Sequence, residues 1–553
     1  MTLDPPKAFR GTFRTDLPAR AVYSEGAGPL RIVPAAVALP RDRDDLVELV
    51  RYAAAAGLAL VPRGAGSGMP GHNIGSGIIV DLRALDRPSR VALAGTANVG
   101  AAVTCGVVNT IAAHFGMRFA PDPSSAAYCT VGGMIGTNAA GARSLRCGSV
   151  RPWVRGVELV TAEGEVGWLA RSEARRTTRY PTPEERRQLR ERLTVEDRMA
   201  ALGPRLAAAA GEIARRFPVT TKNSSGYALD VYGASGDLVD LVIGAEGTLG
   251  IVTRAELQLE RVPAAAGTLV VALADLEGLA DAVAILRRFD PAAIELLDRS
   301  FLDLAGPASA PLPLTGVRAL LLTDVEGGDP KVVAATLAET ERAIGPLAAA
   351  TRLGLDAKER AALWRIRHAA SPALAALPDE RRSLQVIEDG CVPVASLGRY
   401  VAGIEAAAAA AGIAVVMFGH AGDGHLHVNA LVDTRAPDLE TRLARLFDDV
   451  SDLVLALGGT PAGEHGDGRV RTPLLERLYG PEITGLFAEV KRAFDPAGIF
   501  NPGVIVPDGG GVAALKVGRG APPIPADVAA ALRDRERGAR WDRAPLTLLD
   551  GPA

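Results

Sequence analysis

Four of the seven histidines of this 553-residue chain fall close together near its C-terminal end, beside a glutamate. His420, His425 and His427 occur in GHAGDGHLHVN, and His465 follows Glu464 in GEHGDGR. A strand that ends at His420, turns through Gly-Asp-Gly and returns as a second strand would bring His420 and His427 together. Imidazoles with a carboxylate and one free position are typical of a catalytic divalent metal, and zinc suits such ligands best.

A glycine-rich segment far upstream, PRGAGSGMPGHNIGSG, is typical, when taken alone, either of a loop that binds an anion or of a tight structural turn. Gly64, Gly66 and Gly68 directly follow an apolar run, where backbone N–H groups could approach a phosphate closely. A Rossmann loop is disfavoured because Pro70 and the later glycines prevent a helix from starting there. A P-loop is excluded because no Gly-Lys-Ser or Gly-Lys-Thr sequence follows the glycines.

Two further glycine-rich segments follow, PDPSSAAYCTVGGMIGTNAAGARSLRCGSV and IGAEGTLGIVT. Purely structural turns would not need so many glycines in three separate places. Glycine lets the backbone approach a ligand where a side chain would clash, so the three segments together predict one long bis-phosphate ligand between subdomains.

The remaining pattern is that of an α/β protein with several parts. Its opening reads strand, helix, strand, with Asp42 as the predicted helix cap and Gly57 as the predicted helix end. A charged stretch at about 171–216 predicts inserted surface helices, and a new alternation of strands and helices begins near Pro263. The predicted divisions are an N-terminal extension (1–36), a first domain (37–262), a second domain (263–505) and a Gly- and Pro-rich tail (506–553) with one short helix at about 527–537.

Composition excludes several classes of function. Lys and Arg total 61 against 64 for Asp and Glu, so the net charge of −3 supplies no field for nucleic acid. The four cysteines form no CxxC pair, which excludes a disulfide framework and an Fe–S cluster. The sequence contains neither a targeting segment nor an apolar run long enough to span a bilayer. These features predict a cytoplasmic protein, with peripheral attachment to the inner face of the membrane as a second option.

In their order and sequence, the three glycine segments resemble the FAD-binding fold of the vanillyl-alcohol oxidase and p-cresol methylhydroxylase (PCMH) superfamily. The resemblance implies an α+β or α/β chain, in which a PCMH-type FAD-binding domain of two subdomains precedes an α/β substrate, or cap, domain. It also implies three groups of FAD contacts: Arg63, Gly64, Ala65, Gly66, Ser67 and Gly68 around the pyrophosphate; Pro121, Ser124, Thr130, Gly133, Gly136 and Asn138 beside the flavin; and Glu246, Gly247, Gly250 and Val252, with Asn501, completing the site.

Some relatives bind FAD covalently through a histidine in the first loop. Ser67 stands at that position here, so we expect non-covalent FAD.

The histidine motifs, together with VKRAFDPAGIFNPG, resemble the substrate domain of FAD-linked D-2-hydroxy acid dehydrogenases, which include enzymes for D-lactate, glycolate and D-2-hydroxyglutarate. The resemblance implies that His420, His427 and Glu464 bind the metal and that His465 is the catalytic base. Many relatives have asparagine at the position of His425. Its role is open between a further ligand, a hydrogen bond within the site and exposure to solvent.

The chemistry of such a reaction matches these roles. Oxidising a 2-hydroxy acid removes the hydroxyl proton together with a hydride, which would pass to flavin N5. A divalent ion on the hydroxyl oxygen lowers its pKa, and a neutral His465 with an ordinary pKa of about 6.5 could accept the proton.

The substrate carboxylate needs a cation, and LWRIRHAASPAL supplies one. The resemblance implies that Arg367 is a catalytic residue that binds this carboxylate through its two-pronged guanidinium, with Arg365 as the alternative. Ser371 lies one helical turn further and could assist. Lys222 and Asn223, in TKNSSGY, resemble residues on the substrate side of the flavin.

The expected substrate is a small monocarboxylate, with D-lactate as first choice. Relatives that take a second carboxylate often carry lysine just before the acidic residue, whereas Ile387 and Glu388 precede Asp389 here. Arg381 or Arg382 could compensate for that lysine. Glycolate and D-2-hydroxyglutarate are therefore the alternative substrates.

The resemblance also raises the question of the electron acceptor. Related chains often continue into a cysteine-rich Fe–S domain, whereas this sequence ends in a Gly- and Pro-rich tail. We expect a separate Fe–S subunit, a quinone or cytochrome, or an electron-transfer flavoprotein as acceptor, and a homodimer is one option for assembly. Two other functions stay open: a subunit that only relays electrons through its flavin, and a non-redox transferase resembling alkylglycerone-phosphate synthase.

Overall fold

The computed structural model describes residues 3–85, 90–92, 95–174, 187–306, 310–509 and 513–549. Helices and sheets are mixed throughout, as the sequence predicts. The strands of the first domain are β1 (Thr12–Arg14), β2 (Ala36–Leu39), β3 (Leu60–Arg63), β4 (Ile78–Asp81), β5 (Arg90–Ala92), β6 (Thr96–Gly100), β7 (Met117–Arg118), β8 (Val154–Val160), β9 (Val166–Ala170), β10 (Ile251–Gln258) and β11 (Glu260–Arg261). Its helices are α1 (Leu17–Val22), α2 (Arg43–Ala56), α3 (Cys105–Ala113), α4 (Val131–Thr137), α5 (Ser144–Cys147), α6 (Thr194–Ala208), α7 (Ala210–Arg216), α8 (Leu229–Ser235) and α9 (Leu238–Val242).

Two larger sheets form the first domain, one for each subdomain, and β7 pairs with β11 in a third sheet of two strands. The first has the order β1-β2-β4-β3, so β1 of the predicted N-terminal extension joins this sheet, and the predicted strand, helix and strand (β2, α2 and β3) are confirmed. The side chain of Asp42 accepts a hydrogen bond from the backbone of Asp45, and α2 ends at Gly57 with φ of +62°. The second sheet has the order β5-β6-β10-β8-β9 and contains the predicted hairpin of β8 and β9.

The glycine segments lie where strands of these sheets end or begin. The first follows β3, the second contains α4 and α5, and the third leads into β10. The charged insertion contains α6 and α7, while residues 175–186 of it lie outside the described residues. The sheets therefore carry all three glycine segments.

The second domain is built on one sheet of eight strands. Its strands are β12 (Ala265–Leu273), β13 (Ala293–Asp298), β14 (Ala319–Gly327), β15 (Ala350–Gly354), β16 (Arg382–Leu384), β17 (Gly390–Cys391), β18 (Ala414–Gly419) and β19 (His425–Val432). Its helices are α10 (Leu279–Arg287), α11 (Arg299–Ala305), α12 (Pro330–Ile344), α13 (Ala357–His368), α14 (Ala370–Ala376), α15 (Leu397–Ala411) and α16 (Leu439–Ala456). The strand order is β15-β12-β14-β13-β18-β19-β16, with β17 beside β19, and every pairing is antiparallel.

Helices cover both faces of this sheet. Apolar residues of α10, α12, α15 and α16 form one buried cluster with one face of the sheet. Phe301 of α11 and Trp364 of α13 belong to a second cluster on the other face. The strands β13, β18 and β19 at the centre of the sheet are consequently buried, and the histidine cluster lies at their ends.

After the second domain, the chain returns to the first. It forms α17 (Gly468–Arg471), α18 (Leu475–Phe494) and, in the tail, α19 (Ala526–Arg537). Tyr479 and Phe487 of α18 pack around Tyr227 in the core of the first domain. The sequence pattern groups 263–505 as one domain, yet residues 475–505 bury their apolar side chains in the other one. In the described part of the chain, none of the helices is long and apolar enough to cross a membrane.

Candidate active site

One continuous cleft between the two domains joins the glycine segments to the histidine cluster. All three glycine segments line it, and so do His420, His427, Glu464 and His465. Residues of the C-terminal tail form another part of its wall. The cleft thus unites the two sets of residues that the sequence analysis singles out.

Most of the predicted FAD contacts line this cleft. They are Arg63, Gly64, Ala65, Gly66, Ser67, Gly68, Ser124, Thr130, Gly133, Gly136, Glu246, Gly247, Gly250 and Val252. Pro121, Asn138 and Asn501 do not line it. Asn501 donates from Nδ2 to the carbonyl oxygens of His72 and Glu246, both at 2.8 Å, and so joins the first glycine segment to the third.

A buried arginine lies directly beneath the first glycine segment. Gly66 has φ of +78°, and a Cβ there would overlap the guanidinium of Arg63. Arg63 donates to the carbonyl oxygens of Glu25 at 2.8 Å and Asn73 at 3.2 Å, whereas no described residue pairs with its Nε. Burial lowers the pKa of Arg63 to about 10. Such a cation under a glycine loop fits the diphosphate of FAD.

The predicted hairpin brings His420 and His427 together. Phe418, two residues before His420, pairs directly with His427 across β18 and β19. His420 Nε2 lies 3.3 Å from His427 Nε2 and 3.2 Å from Glu464 Oε1, and the last two atoms are 3.4 Å apart. Atoms ~3.3 Å apart have the spacing of neighbouring ligands around a tetrahedral ion with bonds of ~2.0 Å, which is in the range of zinc ligands. The three atoms therefore fit an ion with one open position.

Two oxygen atoms fix the orientation of these rings. His420 Nδ1 lies 2.5 Å from Glu295 Oε1, and His427 Nδ1 lies 3.1 Å from the carbonyl oxygen of Glu388. Both oxygens accept, so each neutral ring is protonated on Nδ1 and presents the Nε2 lone pair toward Glu464. Burial lowers the pKa of His427. Burial acts the same way on His420, but the Glu295 carboxylate outweighs it and raises the pKa to about 8.

Lys222 supports Glu464 from outside the cleft. Its Nζ lies 2.7 Å from Glu464 Oε2, and both side chains are buried. Burial alone would raise the pKa of Glu464, but Lys222 and His420 outweigh it and hold this pKa well below its usual range. Glu464 is therefore an ionised carboxylate whose Oε1 faces the Nε2 atoms of His420 and His427.

The structure gives His425 a role within the hydrogen-bond network. The ring is completely buried, with Nε2 2.9 Å from Asp389 Oδ1 and Nδ1 3.3 Å from Lys222 Nζ. Burial, followed by the charge of Lys222, lowers the pKa of His425 to about 3, so the ring is neutral. Because both nitrogens already have partners, His425 serves the site by hydrogen bonding and not by facing solvent.

His465 forms a pair with a buried carboxylate. Its Nδ1 lies 2.6 Å from Glu388 Oε2, and Arg471 holds the other oxygen of that carboxylate. Its Nε2 lies 3.6 Å from Glu464 Oε1. Burial by itself lowers the pKa of His465, but Glu388 and Asp389 outweigh it and raise the pKa to about 10. The pair orients the ring and leaves Nε2 as the nitrogen that can exchange a proton.

Arg367 lines the cleft beside the histidines. It is buried, donates from Nε to Glu295 Oε2 at 2.7 Å and stacks over the ring of Phe418 at 4.9 Å. None of the described residues accepts a hydrogen bond from its two terminal nitrogens, which are therefore available for a carboxylate. The alternative, Arg365, is exposed on the other side of α13.

The other predicted substrate contacts are placed differently. Lys222 and Asn223 do not line the cleft, and Asn223 pairs with Thr460 and Tyr479. Ser371 is the second residue of α14, but its side chain lies outside the described residues. Among the described side chains, Arg367 alone of this group reaches the cleft.

Two residues of the site, Glu295 and Asn429, are not predicted by the sequence analysis. Glu295, which holds both His420 and Arg367, is a single acidic residue inside the apolar strand AIELLD, a pattern that signals a buried carboxylate with partners. Asn429 also lines the cleft, and the period of two along β19 places it on the same face as His427. Both could have been found from strand periodicity.

Comparison with known sequences identifies two domain families in the chain. Residues 34–170 match the family described as FAD binding domain, and residues 262–505 match that described as FAD linked oxidases, C-terminal domain. The glycolate oxidase subunit GlcD of Bacillus subtilis is 29% identical and is matched over 88% of this chain and 92% of its own. D-lactate dehydrogenase of Archaeoglobus fulgidus is 28% identical, over 85% and 91%. D-2-hydroxyglutarate dehydrogenase of Escherichia coli is 28% identical over 91% of this chain, which spans 51% of that longer protein.

Solved structures share the fold at low sequence identity. A 4-ethylphenol oxidase from Gulosibacter chungangensis matches 90% of this chain and 94% of its own, with a TM-score of 0.64 and 14% identity. An alkyldihydroxyacetonephosphate synthase matches 89% and 82%, with a TM-score of 0.57 and 16% identity. The two domain families, their order and the shared fold lead to one conclusion: the chain belongs to the PCMH-type FAD-linked oxidase family and is a flavoprotein oxidoreductase.

Proposed function

We propose that this protein is an FAD-dependent dehydrogenase that oxidises a D-2-hydroxy acid, with D-lactate as first choice, to the 2-oxo acid. The observation that carries the proposal is the triangle of His420 Nε2, His427 Nε2 and Glu464 Oε1, which opens on the same cleft as the FAD-binding segments. The names of the relatives, which act on glycolate, D-lactate and D-2-hydroxyglutarate, support the same substrate class.

In this proposal, His420, His427 and Glu464 hold a divalent metal, with zinc preferred for nitrogen and oxygen ligands. A divalent ion there would lower the pKa of a bound hydroxyl by several units, as it lowers that of water from 15.7 to ~7. Non-covalently bound FAD supplies the hydride acceptor, its N5 atom. The side chains of the protein then have two tasks, which are to bind the substrate and to take up its proton.

His465 is proposed as the base. Its Nδ1 is held by Glu388 at 2.6 Å, so Nε2 takes up the hydroxyl proton and the carboxylate stabilises the resulting imidazolium. A pKa of about 10 favours the protonated ring. A cation held beside the adjacent Glu464 would lower that value, because like charges repel.

Arg367 is proposed to bind the substrate carboxylate. Its two terminal nitrogens form a fork that matches a carboxylate in two hydrogen bonds. Glu295 joins this arginine to His420, at 2.7 Å and 2.5 Å respectively. The buried Glu295 carboxylate therefore fixes the position of Arg367 relative to His420. In this proposal, that geometry determines which face of the 2-hydroxy acid meets the flavin.

A small monocarboxylate suits the cleft better than a dicarboxylate. Ile387 is buried in the core of the second domain, so no cation takes the position of the lysine found in dicarboxylate enzymes. Arg382 lines the cleft but donates to Glu536 at 2.6 Å, and Arg381 is exposed. These placements support D-lactate or glycolate over D-2-hydroxyglutarate.

Reduced flavin must pass its electrons to a separate acceptor in this proposal. The four cysteines are free, and no cysteine occurs in the metal-binding groups of the described residues. An Fe–S subunit, a quinone or cytochrome, or an electron-transfer flavoprotein would serve. Reoxidation of the substrate-reduced protein by a quinone alone, followed by flavin absorbance, would separate the second option from the other two.

The decisive experiment is an anaerobic titration of the purified holoprotein, followed by visible flavin absorbance. D-lactate, L-lactate, glycolate and D-2-hydroxyglutarate are added separately, before and after removal of divalent metal with a chelator. We expect D-lactate to bleach the flavin and L-lactate to leave it oxidised, with bleaching lost after chelation and restored by zinc. Bound flavin that none of the acids bleaches would overturn the proposal in favour of an electron relay or a non-redox transferase.

A further inference from the structure

The C-terminal tail follows the two matched domains and lies across the cleft that they form. Its helix α19 and the residues after it contribute Arg533, Glu536, Ala539 and Trp541 to the cleft wall. These residues stand beside the first glycine segment, from Arg63 to Met69, in the same cleft. The tail is therefore a structural part of the site and not a linker.

One side of the tail is anchored on the first domain. Val528 and Leu532 of α19 are buried in a cluster with Tyr23 and with Val61 of β3, the strand that leads into the first glycine segment. Upstream of α19, the backbone of Lys516 donates to the carbonyl oxygen of Pro29 at 2.7 Å. The first domain thus holds the tail at two places, at Lys516 and along α19.

The other side of the tail is anchored on the second domain. Arg533 donates to the carbonyl oxygen of Leu377 at 2.7 Å, and Glu536 accepts from Arg382 at 2.6 Å. Lys516 Nζ lies 3.3 Å from the same Glu536 carboxylate. A single helix consequently bridges the two walls of the cleft.

Arg535 lies between these anchors and reaches the glycine segment itself. It is 1% exposed, and its guanidinium donates to the carbonyl oxygens of Ala65 at 3.4 Å and Arg543 at 3.2 Å. The guanidinium carbon lies 4.7 Å from the centre of the Trp541 ring, which stacks on it. Its Nη1 has no hydrogen-bond partner among the described residues.

Two buried positive charges therefore flank the first glycine segment without acidic partners. In the described part of the chain, no carboxylate oxygen lies within 4.0 Å of the guanidinium of Arg63 or of Arg535. Burial lowers the pKa of Arg535 to about 9, and the charges of Arg63 and Arg83 act in the same direction. Two buried cations that repel each other are costly unless an anion compensates them.

We propose that the tail segment 526–541 is a clasp that retains non-covalently bound FAD, with Arg535 balancing the charge of the FAD diphosphate and Trp541 covering the nucleotide. The diphosphate carries two negative charges, which match the two cations that form no ion pair within 4.0 Å among the described residues. A covalent bond in the first loop would make such a clasp unnecessary, but Ser67 offers none. The inference depends on FAD binding alone, so it stands or falls separately from the substrate assignment.

The test measures how fast FAD leaves the holoprotein, by the rise of free-flavin fluorescence after dilution. We expect Arg535→Ala to release FAD ~10–100-fold faster, the range for loss of a charged hydrogen bond. Trp541→Ala should also release FAD faster, because the ring that covers the nucleotide is removed. Arg537→Ala is the matched control, because Arg537 lies on the same helix and is exposed. Its release rate should equal that of the unchanged protein. Arg535→Lys keeps the charge but loses the planar fork, and it should release FAD at a rate nearer to the unchanged protein than Arg535→Ala.

The outcomes are separable. Circular dichroism and the unfolding temperature of each FAD-free variant show whether it folds, and if Arg535→Ala does not fold, Trp541→Ala and Glu536→Gln decide. Equal release rates for Trp541→Ala, Glu536→Gln and the Arg537→Ala control would overturn the clasp. Equal rates for Arg535→Lys and Arg535→Ala would overturn the charge-balancing role.

Discussion

At the scale of single residues, the function of each histidine follows from what its two ring nitrogens contact. His420 and His427 are each held at Nδ1 by an acceptor, which leaves Nε2 directed at Glu464. His425 has partners at both nitrogens. Three neighbouring histidines of one motif thus divide into two candidate ligands and one hydrogen-bonding residue.

This division predicts opposite results for two substitutions. His427→Ala should lose metal. Its affinity for the metal should fall more than ~100-fold, because the substitution removes a ligand itself and not a residue that orients a ligand. His425→Asn should keep its metal, since asparagine can still bond Asp389. Metal and FAD content per chain, by elemental analysis and absorbance, check both variants. A His427→Ala protein that keeps one metal per chain would contradict the assignment.

Arg367 provides a second prediction at this scale. Removing a guanidinium that binds the substrate carboxylate should raise KM by ~10–100-fold, the value of a lost charged hydrogen bond. Arg365→Ala serves as control, because Arg365 belongs to the same helix and is exposed. Anaerobic flavin reduction at several substrate concentrations gives the comparison. An unchanged KM for Arg367→Ala would exclude the role.

At the scale of elements, the first glycine segment depends on backbone conformations that other residues do not reach easily. Gly66 and Gly57 both have a left-handed φ, +78° and +62°. Around Gly57 there is open space, whereas a Cβ on Gly66 would overlap the guanidinium of Arg63. The two positions therefore separate backbone strain from loss of space.

We predict that Gly57→Ala costs about 1–2 kcal/mol of stability, the usual penalty of a left-handed residue, and leaves FAD binding intact. Gly66→Ala should cost more and weaken FAD binding, because the loop and Arg63 must both move. FAD affinity by fluorescence quenching and unfolding by denaturant measure the two effects. Equal FAD affinity in both variants would show that the loop accommodates a Cβ at position 66, which would contradict the prediction.

The cap of α11 gives a prediction about pH. Asp298 caps this helix, and burial raises its pKa to about 6. The folded state then holds a proton that the unfolded state, with a pKa near 3.9, releases, so folding stability falls as pH rises from about 4 to about 6. The asparagine of Asp298→Asn can still cap the helix but does not titrate. The free energy of unfolding of this variant, relative to that of the unchanged protein, should therefore rise by roughly 2–3 kcal/mol from pH 4 to pH 7.

Asp329→Asn is the control for this effect, because Asp329 caps α12 in an exposed position. The Asp298→Asn protein should show the larger change in stability between the two pH values. Urea unfolding at the two pH values measures both variants. A stability difference for Asp298→Asn that is the same at pH 4 and pH 7 would contradict the raised pKa.

At the scale of the whole molecule, the order of the chain ties the two domains together. Helix α18 follows the second domain in sequence but packs in the core of the first. Lys222 of the first domain pairs with Glu464, and Arg143 pairs with Asp324 at 2.9 Å across the same boundary. Such connections predict that the domains unfold together.

Phe487→Ala tests that cooperativity. Phe487 is fully buried against Tyr227 and Tyr479, so its loss should cost about 3–5 kcal/mol. Hydrogen exchange should then accelerate in β14 of the second domain as well as in β10 of the first. Phe115→Ala, at a 46% exposed position, should change neither. Acceleration confined to the first domain would show independent unfolding.

Local sequence patterns sufficed for those parts of the fold that depend on near neighbours. The cap and end of α2, the hairpin of β8 and β9, and the approach of His420 to His427 each involve residues a few positions apart. Period and turn chemistry fix such geometry directly. The partners of Glu295 could not be predicted in this way, because His420 and Arg367 lie 125 and 72 positions away.

Residue types and their spacing specify the chemical groups of this protein, which are glycine segments suited to a dinucleotide and histidines with a glutamate suited to a metal. How these groups are combined depends on long-range packing. It directed Lys222 to Glu464 instead of the cleft, returned α18 to the first domain, and laid the tail across the cofactor cleft. The physical reason is that residue type and spacing set local shape, whereas contacts between distant segments depend on how buried surfaces pack and on which buried charges must find partners.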